Sequence, residues 1–173
     1  PGVQLTPEAR LINLRSNVRA LRVGENTVVR GELLVLAHGG ALSIGRDCYV
    51  GEGSRIWSAH RVQIGNRVLI SHNCDIHDWN GHSLVAGARA RHFQAITHGG
   101  HPGELDDVRS APVRIEDDVW IGFGAAVLKG VRIGRGSVVA AHSVVVHDVP
   151  EAVLVGGNPA RVLRSLETQE PPS

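Results

Sequence analysis

The chain has 173 residues, with 18 Lys+Arg against 17 Asp+Glu and a net charge of +1. That near-balance excludes a global field aimed at nucleic acid or an anionic membrane surface. No run approaches the roughly 18 apolar residues of a membrane span, no signal pattern is read at the start, and two Cys do not make a disulfide framework. One domain of ordinary size, in the cytoplasm, is the expectation.

Residues 1–22 read as an N-terminal segment without repeats. Within it "PEARLINLRSNVRAL" predicts a short helix starting at Pro7, with Thr6 as N-cap. Residues 27–42 read as an imperfect first coil. From there a strict rhythm sets in: branched apolar residues fall at Ile44, Val50 and Ile56, then at Ile64, Ile70 and Ile76. After a gap it resumes at Ile115, Ile121, Val127, Ile133, Val139 and Val145. The step is six, apart from one step of eight between Ile56 and Ile64. Gly follows at positions 45, 51, 65, 122 and 134, and a small or β-branched residue comes four places after the apolar one. Neither a helix of period 3.6 nor an alternating strand repeats in this way. A unit of short strand plus turn does, stacked in coils so that like residues form internal ladders: a parallel β-helix. Cys48 and Cys74 occupy the small slot and read as structural thiols that do not stack on each other.

Between Ile76 and Val113 the hexapeptide vanishes, giving an inserted loop over 77–112 that carries His77, His82, His92, His98 and His101. A long excursion from a repetitive scaffold points to function. Gly81 frees the backbone to present His82, whose imidazole suits general-base work near neutral pH, and Asp75 or Asp78 is the candidate to hold its ring. After "GGNPARVLRSL" a short C-terminal helix is expected to cap the core, with residues 167–173 as a loose tail. The repeat domain then spans 23–166.

The hexapeptide pattern, the "NGHS" loop, "VRIEDDVWIGFGAAVLKGV" and "GGNPARVLR" together resemble the hexapeptide-repeat acyltransferases, in particular the galactoside, maltose and polysaccharide O-acetyltransferases. The resemblance covers residues 40–166. It implies a left-handed β-helix, a homotrimer, and an acetyl-CoA groove between neighbouring subunits. It also implies a sugar or polysaccharide-precursor acceptor. The left hand is not readable from the pattern, because crossovers between parallel strands are normally right-handed. Position by position, the family's catalytic histidine matches His82, with Ser83 in place of the usual Pro, and its active-site tryptophan matches Trp120. The pantetheine and acetyl groove matches Phe123, Ala141, Val146 and His147, although the family often has Lys at the last. The two arginines near the CoA phosphates match Arg161 and Arg164, three apart and so on one side of a helical turn.

The chemistry agrees. Moving an acetyl group from a thioester to a hydroxyl needs a base for the hydroxyl proton and donors for the oxyanion, which backbone N–H groups of a Gly-rich turn can supply. No G-x-S-x-G elbow is present, so direct transfer is expected rather than an acyl-enzyme. The alternative is a zinc lyase resembling the γ-class carbonic anhydrases, with His72 and His77 as paired ligands. A third ligand from His38 or His60 has no convincing offset, and no metal is expected.

Overall fold

The computed structural model describes residues 2–100 and 107–166. His101 and the tail 167–173 lie outside those residues. The chain winds through three parallel sheets in turn. The first coil holds β1 (Gln4–Leu5), β2 (Arg10–Asn13) and β3 (Leu21–Val23), and the second β4 (Val28–Val29), β5 (Glu32–Val35) and β6 (Leu42–Ile44). The third holds β7 (Tyr49–Val50), β8 (Arg55–Ser58) and β9 (Val62–Ile64), and the fourth β10 (Leu69–Ile70), β11 (Asp75–His77) and β12 (Val113–Ile115). Helix α1 (Ala86–Gly99) lies between β11 and β12. The fifth holds β13 (Trp120–Ile121), β14 (Ala126–Val127) and β15 (Arg132–Ile133), followed by β16 (Val138–Val139) and β17 (Val144–Val145). A hairpin of β18 (Val153–Gly157) and β19 (Ala160–Ser165) closes the stack.

From β4 to β17 each strand pairs in parallel with the one three before it, and β18 pairs in parallel with β16. We call the three faces A (β1, β4, β7, β10, β13, β16, β18, β19), B (β2, β5, β8, β11, β14, β17) and C (β3, β6, β9, β12, β15). The register explains the rhythm: Val29, Val50, Ile70, Ile121, Val139 and Val155 form one inward ladder on face A, each almost wholly buried. Leu33, Ile56, Ile76, Val127 and Val145 do the same on face B. Small residues fit the corners because coils approach closely there. A Cβ on Gly122 would sit 2.7 Å from the backbone nitrogen of Ala141. Cys48 and Cys74 are free and buried in such corners, and burial raises both thiol pKa values, as suits inert packing groups.

Both ends differ from expectation. No helix forms at Pro7: β1 and β2 hydrogen-bond to β4 and β5, so Gln4–Val23 is the first coil and 28–44 the second. The only helical turn there is the 3₁₀ turn Val18–Ala20, capped by the Asn17 side chain. The C-terminal helix is likewise absent, because β18 presents an open edge and β19 folds back on it antiparallel. Face A thus supplies the ladder partners that a lone helical turn would lack.

The irregular connections leave at one corner, between faces B and C. The step of eight is the corner Ser58–Arg61, and the 78–112 excursion leaves one coil later at the same place. What was read as a loop holds the 14-residue α1.

Candidate active site

The excursion has a closed neck. Trp79 and Ser110 form an antiparallel bridge, Asn80 N–H donates to the Arg109 carbonyl at 3.0 Å, and Ala111 N–H to the Asp78 carbonyl at 2.9 Å. The fully buried Asp78 carboxylate accepts from Ser58 Oγ at 2.7 Å, Ala59 N–H at 2.7 Å and His60 N–H at 2.9 Å. It therefore ties the neck to the previous coil's corner. Asp75 is engaged by Arg55 in a two-pronged pair at 2.7 and 2.9 Å. Neither acid contacts the His82 ring, so the expectation that one of them orients it is not met.

Gly81 has φ +76° with open space where a Cβ would be, so the backbone conformation, not crowding, calls for glycine. The next residue, His82, is exposed, and its Nδ1 lies 3.1 Å from Nδ1 of His92 on α1. The two rings are 4.9 Å apart and tilted by 55°. Ser83, standing where the related family has Pro, is buried. Its Oγ accepts the Val85 N–H at 3.0 Å and its carbonyl accepts Arg89 Nη1 at 2.8 Å. Arg89 and His92 are three apart, on one helix face, and both reach the 82–83 turn. Sequence reasoning missed the contact between His92 and His82. The available signal was the run "AGARARHFQAITHGG", rich in Ala and ending in Gly, a helix with a glycine stop.

His77 has a different environment. Its ring stacks on Trp57 (5.1 Å between centroids, 6°) and on Trp79 (5.0 Å, 14°). Burial holds its pKa below the ordinary imidazole value, opposed by nearby Asp75. His72 stacks on Phe123 (5.1 Å, 2°). The two histidines of the zinc reading thus belong to separate ring stacks. Among the described residues no three His, Cys, Asp or Glu side chains group as a metal would require.

The remaining candidates fall on two edges of the prism. Trp120 stands in the outward row of face A, between Leu69 and Val138, and its Nε1 donates to Ser71 Oγ at 3.2 Å. Phe123 projects from the corner between faces A and B, edge-on to His142 (4.9 Å, 87°), with exposed Ala141 one coil on. Arg161 and Arg164 lie on β19, not on a helical turn. Three residues along a regular strand would point them to opposite faces. The register shift leaves Leu163 unpaired, so Arg161 pairs with Gly156 and Arg164 with Leu154, both positions alternating with inward Val153 and Val155. The two guanidiniums therefore share the outer side after all, by a bulge. No described carboxylate pairs with either, and the row Trp120, Val138, Leu154, Arg164 runs down face A over roughly 14 Å. An apolar strip ending in two uncompensated cations fits a thioester's apolar arm and its phosphates.

Val146 and His147 follow β17, at the opposite edge of face B, below the corner from which the His82 segment departs. The structure thus brings Trp120, Phe123, Ala141, Arg161 and Arg164 to one edge and His82, Val146 and His147 to the other. The width of face B, built here from β11, β14 and β17, separates them.

The model of the bacterial transferase hexapeptide family (six repeats) matches residues 112–147. A solved hexapeptide-repeat-containing acetyltransferase of Vibrio cholerae is 32% identical, with a TM-score of 0.66 over 85% of this chain and 73% of that one. The chain belongs to the hexapeptide-repeat acetyltransferases. A maltose O-acetyltransferase from Clostridium difficile 630 matches at 26% identity and TM-score 0.52, over 92% of this chain and 68% of that one. A 2,3,4,5-tetrahydropyridine-2,6-dicarboxylate N-acetyltransferase of Clostridium perfringens is 54% identical over 65 residues, 38% of this chain. That match spans 28% of the relative's own length. Among the described residues no helix is long and apolar enough to cross a membrane.

Proposed function

We propose that the chain transfers an acetyl group directly from acetyl-CoA to a hydroxyl of a sugar or polysaccharide precursor, with His82 as general base. The observation that carries this is the separation just described. The base stands at one edge of the prism, and the strip suited to the thioester stands at the other. A left-handed homotrimer sets the His82 edge of one copy against the Trp120 edge of the next, completing the groove between subunits. In that groove His82 takes the acceptor proton as oxygen attacks the thioester carbon, and the proton then leaves with the thiolate sulfur. Arg161, Arg164 and the Trp120 row bind the donor, with Phe123, Ala141, Val146 and His147 lining the groove. The charge balance suggests no nucleic-acid partner, and the cytoplasm, where acetyl-CoA is made and used, is the proposed location.

An amine acceptor is the second reading, favoured by the 54% identity to an N-acetyltransferase. Thiol release from acetyl-CoA, measured with sugars, nucleotide-sugars and amino sugars, decides between them. His82→Ala should lower kcat about a hundredfold or more with the best acceptor, while acetyl-CoA still binds. A variant with near-wild-type turnover, or a monomeric mass for the active enzyme, overturns the reading.

A further inference from the structure

The geometry points to His92 as the positioning residue that fixes the tautomer of His82. This rests on the reading of His82 as the general base. The two Nδ1 atoms are 3.1 Å apart, close enough that one must carry a hydrogen and the other a lone pair. With both rings neutral there are two arrangements. If the hydrogen is on His92 Nδ1, His82 receives it and must carry its own hydrogen on Nε2, leaving no lone pair at its far nitrogen. If the hydrogen is on His82 Nδ1, His92 accepts it and His82 Nε2 is free to take a proton. Only the second arrangement makes a base of the nitrogen that faces away from the helix.

The surrounding contacts make this pairing a built feature. His82 follows a glycine held at φ +76°, and Ser83 is buried with both its hydroxyl and its carbonyl engaged. Arg89, one turn before His92 on α1, grips the Ser83 carbonyl. The same helix face thus fixes the loop backbone through Arg89 and meets the ring through His92. The Ser at 83 is part of this: a proline there would have no side-chain oxygen to accept the Val85 N–H.

During reaction the acceptor O–H bond breaks and its proton goes to His82 Nε2, while oxygen bonds to the acyl carbon and the carbon–sulfur bond breaks. His82 is then an imidazolium, and its Nδ1–H bond to neutral His92 becomes charge-assisted. The contact strengthens as charge develops, so His92 acts on kcat and not on donor binding. The proton on Nε2 passes to the departing thiolate, which returns the pair to its starting state.

Two experiments test the pairing in the full-length enzyme. Nitrogen-15 spectra of histidine-labelled wild-type protein, with neutral rings, should show His82 protonated at Nδ1 and unprotonated at Nε2. The reverse pattern overturns the proposal without depending on any variant. In kinetics, His92→Leu should lower kcat by roughly tenfold or more, a part of the hundred- to ten-thousandfold that a positioned base supplies. The KM for acetyl-CoA should stay within about twofold. His92→Gln, whose side-chain oxygen can still accept the Nδ1–H, should recover most of the loss, and His92→Leu added to His82→Ala should cost nothing further. If His82→Ala itself keeps wild-type turnover, the base assignment falls and the pairing with it. If His82→Ala is crippled while His92→Leu keeps full kcat, only the pairing falls.

Discussion

The stacked coils and the 78–112 excursion are held by different physics. In the coils each hexapeptide buries one branched side chain almost completely, and neighbouring coils repeat the same contact. Helix α1 has no fully buried residue, and Leu84, Val85 and Phe93 are exposed. A few polar contacts place the excursion: the neck bridge, the Asp78 carboxylate, the Arg89 grip and the histidine pair. The comparison teaches that the stacked coils supply a rigid frame, and that the described part of the excursion, which carries the proposed base, is placed mainly by polar contacts. With so little apolar burial, the excursion is expected to be the less stable unit.

The sharpest way to break the contrast is a truncation in each region. Ile121→Ala, in the middle of the face-A ladder, should cost about 2–5 kcal/mol, whereas Gln94→Ala on α1 should stay within about 0.5 kcal/mol. Chemical denaturation of both variants checks this, and equal losses would mean that the helix is part of the cooperative core. Next in size is Asp78→Ala, which removes the carboxylate joining the regions and strands the Ala59 and His60 N–H groups, while the Ser58 hydroxyl can turn to the Ala41 carbonyl at 3.2 Å. A loss of about 3 kcal/mol is expected, and a nearly neutral result would show the neck standing without it. Arg161→Ala combined with Arg164→Ala should raise the KM for acetyl-CoA about tenfold at physiological salt, with kcat changing much less. An unchanged KM would remove β19 from the donor site.

The smallest effect concerns pH. Burial depresses the His77 pKa in the folded chain, so the unfolded chain takes up that proton first as pH falls. The stabilisation from the neutral stacked ring is complete above about 6.5 and is lost as pH drops below it. His77→Phe keeps a ring in the stack but cannot titrate, so its melting temperature should fall less between pH 7 and 5 than that of the wild type. Equal pH slopes for the two proteins would count against it.

The sequence made the middle of the fold plain because each six-residue unit repeats one decision, inward or outward, many times. Its ends were not legible. Residues 4–23 pair with the second coil although they lack the Ile–Gly spacing, and 160–165 became a strand because an open edge was waiting for it. That tertiary opportunity outweighs local propensity and leaves no mark in the segment itself. Of the proposed site, His82 was singled out by its place in the break and by the family resemblance, and Trp120 by the resemblance alone. The shared side of Arg161 and Arg164 was foreseen for the wrong reason, a helical turn where a bulge does the work. The contacts of His92 and Ser83 were hidden because they depend on how α1 folds back on the loop. No spacing rule connects residues 82 and 92.

The reversed strand β19 has one further consequence. A column of parallel strands at constant spacing offers its last edge to any similar strand, and a second copy stacked end to end would continue the column into a fibre. A strand that runs the other way, carries a bulge and bears two cations offers no such continuation. The segment proposed to hold a soluble donor also blunts the last edge of face A, one of the three.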